Sequence, residues 1–190
     1  DKVAQWNMGN SSGNYSKVNG TSIVMDDNVI AELYDLGDDT YHLELTGSGE
    51  MGGLIYYSDQ PYRAYRNKIV SVSVGDGITN VGNCAVSRFT RLQQFSLAES
   101  VKLIGANAFE YCTGLETLVI PDTVENLSNY CFQECTAVKS LTLPCDLDYT
   151  SVNIPFHGIT QLTDFYLTPG KTGIASVNHS VFGTPAERSD

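Results

Sequence analysis

The chain has 190 residues, is 42% hydrophobic and carries a formal net charge of −11, which suits one packed domain or a capped array of repeats. So acidic a surface repels phosphate backbones and anionic headgroups, which argues against nucleic acid and membrane surfaces as partners. No apolar run approaches the roughly 18 residues that span a bilayer, and Asp1-Lys2-Val3 opens no basic-then-apolar leader, so the chain reads as a mature or trimmed polypeptide.

Residues 1–20, rich in Asn, Ser and Gly, are predicted to be loop. Ser22-Ile23-Val24-Met25 is a candidate strand. Val29-Ile30-Ala31-Glu32-Leu33-Tyr34 and Tyr41-His42-Leu43-Glu44-Leu45-Thr46 flank Leu36-Gly37-Asp38-Asp39 and predict a hairpin. Residues 1–68 are therefore expected to form a small antiparallel β cap. Tyr56, Tyr57, Tyr62 and Tyr65 crowd its end. They are expected to seal the cap over the segment that starts at Ile69, rather than to form an aromatic platform for sugar or peptide.

From Ile69 onward apolar residues recur every 23 positions. The columns are Ile69, Leu92, Leu115, Val138; Val72, Phe95, Leu118, Leu141; Val74, Leu97, Ile120, Leu143; and Ile78, Val101, Val124, Leu147. Later in each unit come Val81, Ile104, Leu127, then Val86, Phe109, Phe132, then Phe89, Cys112, Cys135. One unit cannot bury its own apolar face, so stacked units are needed to turn each column into a continuous ladder. The array is divided into units 69–91, 92–114, 115–137, 138–161 (one residue longer) and a partial 162–167. The alternating Leu118-Val119-Ile120 type of stretch predicts a short strand, with successive strands stacked in parallel. Asn107 to Cys112 is expected to be a short helix or 3₁₀ turn on the back. Residues 168–190 are expected to form a C-terminal cap and tail, with Ile174, Val177, Val181 and Phe182 covering the last unit.

Five cysteines, an odd number without a CxxC pair, argue against a disulfide framework or zinc site. Cys112 and Cys135 fall in an inward column, and Cys131 shares one with Ala85 and Ala108, so packing accounts for them. Cys84 and Cys145 fit no column. His42, His157 and His179 are dispersed, and His42 should alternate outward on its strand. Gly47-Ser48-Gly49 and Gly75-Asp76-Gly77 are too short for phosphate loops. Asp26, Asp27, Asp35, Asp38 and Asp39 lack calcium-loop spacing and read as turn residues. No catalytic residue, metal site or cofactor is expected.

The unit from Val101-Lys102-Leu103-Ile104-Gly105 through Ala108-Phe109, Cys112 and Leu115 to Leu118-Val119-Ile120-Pro121 resembles the repeat of the BspA-like leucine-rich-repeat family of bacterial surface proteins. Leu43-Glu44-Leu45-Thr46-Gly47-Ser48-Gly49-Glu50-Met51 and Pro61-Tyr62-Arg63-Ala64-Tyr65-Arg66 are similar to stretches that precede these repeats in the family. Ser128 and Cys131 depart from the pattern, as does Val86, and the fourth unit lacks the Ile-Gly segment. The resemblance implies a leucine-rich-repeat solenoid, extracellular or surface display, and adhesion to host or microbial proteins or glycans.

The candidate contact surface is the outward face of the strand ladder: Ser71 and Ser73, Gln94 and Ser96, Thr117 and Val119, Ser140 and Thr142, Asp164 and Tyr166. The expected function is a non-catalytic binding module, secreted or on the cell surface. The alternatives are a structural spacer in a larger surface protein and a secreted enzyme. The ligand and the oligomeric state are not legible.

Overall fold

The computed structural model describes residues 1–8, 17–18, 21–22, 28–145, 147 and 154–169. The cap begins with β1 (Lys2–Asn7), followed by a short antiparallel pair, β2 (Lys17–Val18) and β3 (Thr21–Ser22). Next come β4 (Ile30–Gly37) and β5 (Thr40–Thr46), the expected hairpin. Its turn holds Asp38 and Asp39 at φ of 52° and 55°, the left-handed pair that a twisted two-residue hairpin needs and that Asp tolerates. The loop expected over residues 1–20 is corrected at its start: β1 pairs antiparallel with β4, placing Trp6 opposite Ala31. An edge strand takes its conformation from its neighbour, so its own sequence need not announce it. Of the strand expected at Ser22–Met25, residues 23–25 lie outside the described residues, as do residues 170–190 of the cap and tail expected over 168–190.

The array supplies β6 (Ile69–Val74), β7 (Asn80–Val81), β8 (Gln94–Leu97), β9 (Leu103–Ile104), β10 (Thr117–Val119), β11 (Asn126–Leu127), β12 (Ser140–Pro144) and β13 (Asp164–Thr168). Front strands pair in parallel at the repeat spacing: Val72 with Phe95, Leu118 with Leu141, Leu141 with Phe165. A second rail joins β7, β9 and β11. The cap is continuous with the front, since β5 pairs in parallel with β6.

A third rail runs through the back. The helical turn expected at Asn107–Cys112 is replaced by consecutive turns. Two residues per unit sit at positive φ: Cys84, Asn107 and Tyr130 in one column, Arg88, Tyr111 and Glu134 in another, between 56° and 63°. These left-handed kinks turn peptide N–H groups along the stacking axis instead of into a helix. Val86 N–H thereby donates to Ala108 O (2.8 Å), Phe109 N–H to Cys131 O (2.7 Å) and Phe132 N–H to Pro155 O (2.8 Å). The first unit has no earlier turn to supply such donors, and a buried carbonyl without one is costly. The cap supplies them: Leu54 N–H reaches Asn83 O (2.9 Å), Tyr62 OH reaches Ala85 O (2.7 Å) and Gln60 Nε2 reaches Ser87 O (2.9 Å). Residues 83, 85 and 87 are the repeat equivalents of Ala106, Ala108 and Glu110, which accept from Cys84, Val86 and Arg88. The cap thus imitates the hydrogen-bonding edge of a repeat.

The predicted columns form the core. Ile69, Leu92, Leu115 and Val138 are fully buried, and Phe109, Phe132 and Phe156 stack at 5.0 and 5.7 Å. Gly105 lets neighbouring coils close up, since a methyl there would lie 2.6 Å from Asn83 Oδ1. All five cysteines are free and buried. Cys112 and Cys135 donate to Val86 O (3.3 Å) and Phe109 O (3.2 Å), the same rung one unit apart. Cys84, unplaced by sequence, is a left-handed turn residue, and Cys145 donates to Pro169 O (2.8 Å). Phe165 and Leu167 depart from expectation: their register partners Leu141 and Leu143 are fully buried, but they are 40% and 39% exposed on the last described strand.

The front ladder is not continuous. One sheet runs β1-β4-β5-β6-β8 and the other β10-β12-β13. Among the described residues no pairing joins β8 to β10, although the second rail and the back turns cross that boundary.

Candidate functional site

Side chains alternate along a strand, so each front strand sends one set inward and presents the other to solvent. The candidate residues Gln94, Ser96, Thr117, Val119, Asp164 and Tyr166 are exposed, and Ser140 and Thr142 are half-buried. The structure does not bring them into one strip. Gln94 and Ser96 belong to the first sheet, and the other six to the second.

On the first sheet the outward face runs on into the cap. One row is Tyr34, His42, Ser71, Gln94, and the next is Glu32, Glu44, Ser73, Ser96. His42 lies between two serines, with Nδ1 2.8 Å from Ser71 Oγ and Nε2 3.0 Å from Ser73 Oγ. Tyr34 donates to Glu32 Oε2 at 2.8 Å, and Lys2 Nζ lies 2.8 Å from Glu32 Oε1. Hydrogen bonds from Lys2 and Tyr34 lower the Glu32 pKa, and the Glu32 carboxylate pushes the Tyr34 phenol up to about 12. No motif or spacing announces this cluster. Alternation alone turns His42 outward, but its serine partners depend on the cap-to-array register.

The second sheet is plainer. Thr117, Ser140 and Asp164 form one row, and Val119, Thr142 and Tyr166 the other. Val119 and Tyr166 are exposed apolar or aromatic surface, and Thr163 Oγ1 donates to Asp164 Oδ2 at 2.8 Å. Among the described residues there is no group of three His, Cys, Asp or Glu side chains placed to hold a metal ion.

The junction tyrosines divide. Tyr62 is fully buried and packs edge-on against Trp6 (5.6 Å) and Phe89 (5.8 Å), while Tyr65 packs against Tyr41 (5.1 Å). Burial raises the Tyr62 phenol pKa. Tyr56 is exposed. Tyr57 joins a stack in which the Arg88 guanidinium lies 4.2 Å from its ring and 4.4 Å from that of Tyr111, a cation–π arrangement tying the cap to the first two units.

Parallel coils with three hydrogen-bonded rails, buried apolar columns and an outward strand face define a β-solenoid of leucine-rich-repeat type. A family model for the BspA type leucine-rich repeat region matches residues 61–183 in 6 copies, and the chain belongs to that family. Among solved structures, a leucine-rich repeat protein from Eubacterium ventriosum is 18% identical with a TM-score of 0.55, covering 76% of this chain and 43% of that one. This likeness bears on the fold. The T. pallidum leucine-rich repeat protein is 13% identical, covering 80% of this chain and 88% of that one, with a TM-score of 0.49. One from Bacteroides ovatus is 18% identical, covering 67% and 42%, with a TM-score of 0.45. The chain spans less than half the length of the Eubacterium protein. A comparison with curated proteins finds no match. No helix among the described residues is long and apolar enough to cross a membrane.

Proposed function

We propose that this chain is a non-catalytic binding module, secreted or displayed at a bacterial surface, which meets a host or microbial protein or glycan through its outward strand face. The observation that carries the reading is the composition of that face. Small hydroxyls at Ser71, Ser73, Ser96, Thr117, Ser140 and Thr142 form a low, uncrowded surface, bordered by Tyr34 and His42 at one end and Tyr166 at the other. Within each of the two sheets, strand spacing of about 4.8 Å keeps these side chains close and low, which suits a broad contact. Membership of the family supports a binding or structural role.

The test is a screen of glycans and surface proteins with the intact chain, repeated with Thr117→Arg and Thr142→Arg. Binding that falls at least about tenfold in both variants, about 1.4 kcal/mol, with unchanged circular dichroism, is the expected result. Binding indifferent to both, or no ligand in the screen, counts against the reading.

A structural spacer within a longer surface protein is the second reading. It is favoured by length, since this chain spans 43% of the Eubacterium leucine-rich repeat protein. On this reading no glycan or protein in the screen binds the outward face.

A further inference from the structure

We infer that Phe95 is a wedge that holds the front of the solenoid open between β8 and β10, creating a hinge in the outward face. The hinge rests on a local contrast. At the boundary of the first and second units the front is closed: Gln93 N–H donates to Val70 O (2.9 Å) and Ala98 N–H to Val74 O (3.0 Å). At the boundary of the third and fourth it is closed by Ser140 N–H to Glu116 O (3.2 Å) and Ile120 N–H to Thr142 O (2.9 Å). Between the second and third units no strand pairing exists among the described residues. The coils do not part elsewhere at this boundary. A methyl on Gly114 would lie 2.8 Å from Leu92 O, so the chains touch just before the strand. Asn126 pairs with Leu103 on the second rail, and Phe109 N–H donates to Cys131 O (2.7 Å) on the back. Only the front rail is open.

Two residues distinguish the boundary. Pro121, at the repeat position of Ala98, has no N–H for the closing rung. However, Pro144 repeats that defect at the next boundary, toward Ile120, and there β10 and β12 stay paired from Thr117 and Ser140 to Val119 and Thr142. A missing donor is therefore not sufficient to open the front. Phe95 is the second difference; Phe165, the other ring of this column, stands exposed on β13 and fills no interior space. Phe95 occupies the column of Val72, Leu118 and Leu141, all buried, with a ring that is itself only half-buried. The ring packs 4.8 Å from Phe109 in its own unit and 6.1 Å from Phe132 in the next. An aromatic side chain needs more room than the aliphatic residues of this column, and a close-packed interior yields by shifting backbone. The open front lies within the proposed contact surface, so the hinge lets Gln94 and Ser96 move relative to Thr117 and Val119. The hinge itself stands or falls independently of any ligand.

The experiment is amide hydrogen exchange on the intact chain. In the wild type, Thr117 and Val119 amides should exchange at least about tenfold faster than Ser140 and Thr142, their equivalents at a closed boundary. Equal rates would overturn the hinge. In Phe95→Leu the Thr117 and Val119 amides should slow toward the Ser140 and Thr142 rates, whereas Pro121→Ala alone should leave them fast. Slowing in Pro121→Ala but not in Phe95→Leu would assign the opening to the proline and reject the wedge.

Discussion

The two front sheets both stack parallel strands of the repeat, the first adding the antiparallel strands of the cap, and they solve the problem of an outward face differently. The first, reaching from β1 to β8, ties its polar groups to one another: Lys2 to Glu32, Glu32 to Tyr34, His42 to Ser71 and Ser73. The second, from β10 to β13, leaves Val119 and Tyr166 bare beside unadorned threonines. Behind the first sheet the cap supplies three hydrogen-bond donors to the back turns of the first unit, whereas on β13, the last described strand, the inward residues Phe165 and Leu167 are exposed. The same coil can therefore carry a preorganised polar patch or a free apolar one, depending on what lies next to it along the stack.

Alkaline pH should have the largest effect, through buried thiols in the units on both sides of the β8–β10 boundary. Burial pushes the Cys135 thiol up to about 12 and those of Cys112 and Cys131 well above their usual range. Above about pH 9 the unfolded thiols lose protons that the folded ones keep, so the unfolded state binds fewer protons and stability falls. The stabilisation is whole below about pH 9 and is lost as pH rises toward about 12, by up to about 1.4 kcal/mol per pH unit for each thiol. Urea unfolding at about pH 8, 9 and 10 measures the slope. Cys135→Ala should shallow it, and an unchanged slope would contradict this account of the buried thiols.

Phe132→Ala removes the ring between Phe109 and Phe156, and should destabilise the chain by about 3–5 kcal/mol. It also cuts the stack that bridges the two sheets, so exchange protection should fall on both sides of the β8–β10 boundary. A loss confined to one side would show that the sheets are coupled by the backbone rails alone.

Tyr62→Phe keeps the buried ring and strips its hydroxyl, leaving Ala85 O with only the longer bond from Gln60 Nε2 at 3.4 Å. The expected cost is about 1–3 kcal/mol, with early loss of protection in the first unit and little change beyond β12. Uniform loss would mean that the cap stabilises the whole array rather than its first coil.

His42→Ala gives the smallest effect, about 1 kcal/mol, because its two serine partners are near solvent and can bond to water. Thermal unfolding measures it. A larger loss would show that the outward cluster, and not the cap donors alone, holds cap and array together.

Much of the fold was legible. Columns such as Leu92, Leu115 and Val138 repeat because each must fill the same slot in a stack, and the slot dictates the residue type. The outward positions followed by alternation, once the strands were placed. The candidate site was legible only in part. The pairing of β5 with β6, which brings His42 to Ser71 and Ser73, falls outside the repeat, so no periodicity reports it. The back turns escaped detection because Cys84, Arg88, Tyr111 and Tyr130 are not residues that advertise a left-handed conformation. The opening beside Phe95 was hidden as well, since a phenylalanine reads as one more apolar member of its column.

The sequence by itself determined the repeat length, the inward columns and the direction of stacking, because these follow from the need to bury side chains that recur at a fixed interval. Only the tertiary structure decided which carbonyls the cap would satisfy, where the front ladder would part, and which outward residues would become neighbours. Those outcomes depend on contacts between segments of unlike sequence, where hydrogen-bond supply and side-chain volume compete and no repeating pattern records the result.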